Sequence, residues 1–279
     1  MEQVIDVKGL SKNYKQVRAL VDVGLQIPRG RIIGLMGKNG AGKSTFLKCL
    51  LGLLKYEGSI SFFNKPVSEW KHDLYSHVAF IPDVSGLDPR LTVQETIDFT
   101  ADLNPTWNAD KAKRLFAKSD LPCNQKVGNL SKGMKTKLYL LLTLSKDVDV
   151  LLLDEPTLGL DIVFRKEFYD LLLGDFFDES KTVIISTHQV AEVENILHDV
   201  VFIDQGYIKL HESVDHLKNT WKIYEVPQGR EDELLAFKPR SLARSLGMVR
   251  GLVEGNPSLS DARTAVPNLS DIFVAVVNN

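Results

Sequence analysis

The stretch "RIIGLMGKNGAGKSTFLKCLLGLL", residues 31–54, decides the fold. It opens as an apolar run of strand character and passes through a glycine-rich turn. It then places Phe46, Leu47, Leu50, Leu51 and Leu54 on one helical face. Its centre, "GKNGAGKST" (37–45), fits G-x-x-x-x-G-K-[ST] with a strand before it and a helix after it, the context a P-loop requires. Gly37, Gly40 and Gly42 let the backbone curl so that successive N–H groups converge on phosphate oxygens. The whole loop, including Lys38, Asn39, Ala41 and Thr45, is therefore expected to hold the phosphates of a nucleotide. Lys43 sets a point charge on the β- and γ-phosphates, and the Ser44 hydroxyl is a ligand for Mg²⁺. The helix that begins near Ser44 adds its positive dipole end.

Working outward, "VLLLDEP" (150–156) is an apolar strand that ends in two carboxylates. Asp154 is expected to hold the Mg²⁺ shell, and Glu155 to orient and polarise an attacking water. "TVIISTH" (182–188) is a second such strand, ending in His188 where a third group could reach the γ-phosphate. A histidine at a strand end can equally be a polar terminus.

The rest of the chain reads as an α/β protein. Residues 1–35 carry alternating runs broken by "NYKQ" and "IPRG", which predict antiparallel strands, and "GSISFFN" (58–64) returns to strand character. From about Asp83 to Asp147 the pattern turns helical, in the segments "TVQETIDFTADL" (92–103), "NADKAKRLFAKS" (108–119) and "SKGMKTKLYLLLTLSK" (131–146). "VVFIDQGYIKL" (200–210) predicts a hairpin that turns at Asp204, Gln205 and Gly206. Beyond His211 short mixed segments predict a small α/β tail. The expected organisation is a P-loop NTPase core with an N-terminal antiparallel β subdomain, an inserted helical subdomain at about 84–148 and a C-terminal accessory domain at 213–279. The ATP-binding domain would occupy 1–212.

Composition narrows the classes. Of 279 residues 44% are hydrophobic and 25% charged, ordinary for a globular protein. A net charge of −2 gives no electrostatic reason to expect nucleic acid. Cys49 and Cys123 stand in no metal-ligand spacing and favour a reducing compartment. No secretion signal is evident at "MEQVIDVKGL". No window reaches the roughly 18 apolar residues of a spanning helix. The chain is therefore expected to be soluble by itself, which leaves docking on a membrane protein open.

"LSKGM" (130–134) reads as a second phosphate-binding helix start. Together with "LLLDEP", "TLGLD" (157–161) and "STH" downstream, it makes residues 3–212 resemble the nucleotide-binding subunit of ATP-binding cassette (ABC) transporters. "LSKGM" is similar to the family's LSGGQ signature. The resemblance implies a head-to-tail dimer in which Ser131 and Gly133 of one chain cover the ATP held by the P-loop of the other. It implies that Asp161, in the D-loop, communicates across that dimer, that His188 is the switch histidine, and that Tyr14, in "LSKNYKQVRAL" (10–20), stacks on adenine. It implies ATP and Mg²⁺ as cofactors and a separate membrane-spanning subunit as partner. The dimer could be a homodimer or a heterodimer with a homologue. The place implied is cytoplasmic, peripheral on the inner face of the membrane.

Three positions depart from the commonest pattern. Lys132 stands where a second glycine is usual, Met134 replaces a glutamine, and in "FIPDVSG" (80–86) Asp83 replaces the Q-loop glutamine. A carboxylate at 83 can ligate Mg²⁺ but repels the γ-phosphate. These departures, and the "PNLSDIFVAVV" ending (267–277), resemble a bacterial branch associated with export of drugs, antibiotics or peptides. Segment 84–96 would then lie near the groove that receives a coupling helix. The alternatives are a soluble ABC ATPase acting on ribosomes or DNA, and a regulatory binder that uses ATP as a clamp. The first lacks heptad arms or a second cassette in this sequence, and the second is opposed by the intact Glu155.

Overall fold

A computed structural model describes residues 2–70, 73–83, 86–255 and 257–278. The strands β1 (Gln3–Tyr14) and β2 (Val17–Pro28) pair antiparallel. β3 (Ile32–Met36) leaves them for a second sheet, and the P-loop then leads into α1 (Lys43–Leu50). Phe46, Leu47, Leu50 and Leu51 are all buried, and Leu54 packs partly against the same cluster, as the helical face requires. β4 (Glu57–Phe62) and β5 (Lys65–Pro66) return to the first sheet, whose order is β2-β1-β4-β5.

After a short α2 (Val67–Trp70) comes β6 (Val78–Ile81), a strand the sequence reading did not anticipate. The first helix of the inserted region falls on the expected segment "TVQETIDFTADL" (92–103). Residues 86–91 form no helix, and the first one is α3 (Val93–Leu103). Thr92 fixes that start through a capping box with Glu95. α4 (Ala109–Ala117) and α5 (Lys132–Leu144) complete the inserted helices.

β7 (Val150–Asp154) carries the paired carboxylates. α6 (Ile162–Leu171) follows and runs into one π-helical turn, Leu172–Phe176. β8 (Thr182–Thr187), α7 (Val190–Val193), β9 (Asp199–Asp204) and β10 (Tyr207–Ser213) close the core. The second sheet has the order β10-β9-β3-β8-β7-β6, parallel except for the β9–β10 hairpin. That hairpin turns through Gln205 and Gly206, both with positive φ, the pairing a two-residue hairpin turn demands.

The parallel strands read as unbroken apolar runs because both faces are covered. Alternate residues go to opposite cores. Ile33, Leu35, Val150, Leu152, Ile184, Val201 and Ile203 face α1 and the antiparallel sheet. Ile32, Met36, Leu151, Leu153, Val183, Ile185, Val200 and Phe202 face α5, α6 and the tail. Among the described residues no helix is long and apolar enough to cross a membrane.

The tail comprises α8 (Val214–Thr220), β11 (Trp221–Pro227), α9 (Glu231–Leu235), β12 (Ser241–Ser245), β13 (Met248–Glu254), β14 (Arg263–Ala265) and α10 (Leu269–Val277). Its antiparallel sheet runs β12-β13-β11-β14. One face holds its own small cluster around Tyr224, Val226, Leu234, Val249 and Val253. The opposite face is continuous with the main core: Trp221, Ile223 and Leu252 of the sheet and Leu269, Ile272 and Ala275 of α10 all join the larger cluster. Phe273 meets Phe202 of β9 edge-on, 5.2 Å between ring centres.

Candidate nucleotide site

Backbone geometry comes first. Gly42 precedes α1 at φ +114, and a Cβ there would stand 2.6 Å from the Ala19 carbonyl oxygen. Gly37 is equally constrained, by a close approach of 2.5 Å to the Ile203 carbonyl. Only glycine fits these positions, so the loop's curl is dictated by its packing as well as by its ligand. The loop is tied to the β9–β10 turn by the Gly206 N–H, which donates to the Ala41 carbonyl at 3.0 Å.

Lys43 is buried, and its ammonium donates to the Gly37 carbonyl at 2.8 Å and to the Lys38 carbonyl at 3.3 Å. It also lies 3.1 Å from Glu155 Oε1. The other carboxylate oxygen, Oε2, is 2.9 Å from His188 Nδ1. Glu155 is thus held between two basic groups, on a backbone with φ +47. A non-glycine residue in that region is strained and is kept there by its surroundings. The constraint here is Ser186, whose hydroxyl and carbonyl both accept from the Glu155 N–H, at 3.0 and 3.1 Å.

Asp154 is fully buried at the end of β7. Its Oδ1 accepts from Ser44 Oγ at 3.0 Å and from Ser186 Oγ at 2.6 Å, while its Oδ2 is buried with no hydrogen-bond partner. A buried carboxylate oxygen left unpaired beside a hydroxyl is costly without a cation, so these two side chains fit Mg²⁺. Mg²⁺ characteristically takes one or two protein ligands and completes its shell with phosphates and water.

A cleft of about 510 Å³ opens over this group, lined by Tyr14, Asn39, Gly40, Gly42, Lys43, Ser44, Thr45, Asp83 and Glu155. Tyr14 is 43% exposed, so its ring has an open face to offer. Asp83 lies on the cleft wall; its neighbours Val84 and Ser85, which open segment 84–96, lie outside the described residues. Ala41 is buried beneath the loop, and Lys38 Nζ reaches out to Asn278 Oδ1 at 3.3 Å.

Ser131, Gly133 and Asp161 are not among the residues lining this cleft. Ser131 caps α5, accepting from the Met134 N–H at 3.2 Å, and Asp161 caps α6, accepting from Phe164 N–H at 2.9 Å. Gly133 packs against the Phe164 ring, and Met134 packs partly against the main core. Met134 therefore has a packing role.

Sequence reasoning missed Ser186, Arg18 and Gln205. Ser186 sits beside Asp154 in the parallel register of β7 and β8, so its signal was a serine one place inside a strand adjoining the acidic one. Arg18 reaches the cleft from the start of β2 and Gln205 from the β9–β10 turn, and nothing local in the sequence places either beside the loop.

Residues 20–158 match the family model described as ABC transporter. The chain is 36% identical over 208 residues to the Nod factor export ATP-binding protein I of Burkholderia pseudomallei, covering 72% of this chain and 68% of that one. It is 33% identical over 220 residues to a fluoroquinolones export ATP-binding protein of Mycobacterium tuberculosis, covering 77% and 73% respectively. A solved ATP-binding subunit of an ABC transporter superposes with a TM-score of 0.69 at 26% identity, covering 77% of this chain and 92% of that one.

Proposed function

The chain belongs to the ABC transporter family of ATP-binding proteins, and from that premise we propose that it hydrolyses ATP to power a separate membrane-spanning exporter subunit. The observation that carries the hydrolytic reading is Glu155, held 3.1 Å from Lys43 and 2.9 Å from His188 at the foot of the cleft. A carboxylate so placed accepts the proton of an attacking water, while Lys43 and the P-loop N–H groups steady the γ-phosphate oxygens. His188 would bridge Glu155 and the phosphate. Ser44 and Asp154 would hold Mg²⁺, which supplies charge neutralisation at the phosphates, with Asp83 as a further ligand from the cleft wall.

Ser131, Gly133 and Asp161 do not line the chain's own cleft, which favours their use on the nucleotide of a second subunit. Export of a drug, antibiotic or peptide is supported by the names of the relatives, Nod factor export and fluoroquinolones export among them. The membrane partner would bring the protein to the inner face of the membrane, with segment 84–96 near the contact. Residues 1–212 would form the ATP-binding unit and 213–279 an accessory one.

The test is Glu155→Gln. It should lower turnover by roughly 10²–10⁴-fold with ATP affinity retained, and trap an ATP-dependent dimer on sedimentation. Wild-type turnover in that variant rejects the assigned base.

A further inference from the structure

Two segments that flank the nucleotide chemistry are tied together by an ion pair that no motif marks. Arg165, in the first turns of α6, donates through Nε to the Leu160 carbonyl at 2.8 Å, inside the "TLGLD" loop. Its Nη1 is hydrogen-bonded to Glu192 Oε1. Glu192 lies in α7, four residues after His188. Its second oxygen accepts from Thr157 Oγ1 at 3.3 Å, and that hydroxyl is 3.3 Å from Tyr169 Oη. Thr157, Leu160 and Tyr169 are buried, so the pair is anchored in dry surroundings at both ends.

We propose that Arg165 and Glu192 are positioning residues for hydrolysis, holding the loop that ends in Asp161 and the turn that carries His188 as one mechanical unit. The inference rests on the ATPase reading above. Neither side chain lines the cleft, so they act through the residues they hold. The pair spans both loops at once: Leu160 adjoins Asp161, and Thr157 follows Glu155 by two residues. His188 contacts Glu155 directly, so any shift of α7 moves the partner of the proposed base. Displacing catalytic groups by about 1 Å is enough to cost on the order of a hundredfold in rate.

The experiment is a double-mutant cycle in the full chain. Arg165→Met, Glu192→Gln and the double variant are compared with wild type for kcat, KM and equilibrium ATP affinity. Expected are kcat losses on the order of ten- to a hundredfold in each single variant, with KM and affinity within about twofold, and a double variant no worse than either single one. Arg165→Lys keeps the charge facing Glu192 but loses the fixed Nε donor to Leu160, and should fall between. Single-variant kcat within twofold of wild type overturns the proposal, as do additive losses. Loss of ATP affinity in parallel with kcat also overturns it, since that marks a merely structural role. If wild type itself shows no ATPase, or Glu155→Gln retains full turnover, the underlying functional reading fails. Failure confined to the Arg165 and Glu192 variants sinks this inference alone.

Discussion

The Lys132 ammonium fills the space beside Gly159 where a side chain would begin, since a Cβ on Gly159 would stand 2.6 Å from Nζ. Segments 130–134 and 157–161 of one chain therefore touch through Lys132. Lys132 also begins α5, where a positive charge opposes the helix dipole. Two opposite effects are expected of Lys132→Met. The monomer should gain about 0.5 kcal/mol. The ATP-dependent dimer in a Glu155→Gln background should weaken and lose part of its salt dependence. Thermal melts and sedimentation at two ionic strengths check both.

Lys43 neutralises Glu155 in a buried setting and also ties down the Gly37 carbonyl. Lys43→Ala should abolish measurable ATP binding in an equilibrium titration. It should also destabilise the nucleotide-free protein, by up to about 3 kcal/mol, because the buried carboxylate keeps only His188 of its two basic partners. A chemical-denaturation curve that matches wild type would show the ion pair to be inert.

Asp83 lines the cleft with Ser44 and Glu155. As a Mg²⁺ ligand it would lower the metal concentration that hydrolysis needs. Asp83→Ala should then raise half-saturating Mg²⁺ several-fold at fixed ATP, and Asp83→Gln should recover most of it. An unchanged Mg²⁺ titration in Asp83→Ala removes it from the metal shell.

The two cysteines differ in accessibility. Burial pushes the Cys49 thiol up to about 11, while Cys123 is exposed. A raised value keeps Cys49 protonated at pH 8, with thiolate at about one part in a thousand. A maleimide reagent at that pH should label one thiol in the native protein and two after denaturation. Rapid double labelling of the native state would contradict the burial of α1 against its sheet.

Much of this was legible because phosphate chemistry is local. Gly37, Gly40, Gly42, Lys43 and Ser44 lie in one short run, and the runs ending in Asp154 and His188 announce their strands by unbroken apolar character. What was not legible depends on registers between distant segments. Ser186 matters because β7 and β8 align it with Asp154. Arg165 and Glu192 meet because α6 and α7 lie on successive crossovers, β7 to β8 and β8 to β9, and an arginine and a glutamate on helix surfaces carry no signal of that. β6 was hidden by its brevity.

β9 has a nucleotide side and a tail side. Ile203 backs onto Gly37 on one face, and Phe202, its neighbour, meets Phe273 on the other. A graft that swapped the last helix between relatives would therefore be felt at the phosphates. The α10 segment and the P-loop, more than two hundred residues apart in sequence, should change together, as two halves of one joint that share a single strand as their wall.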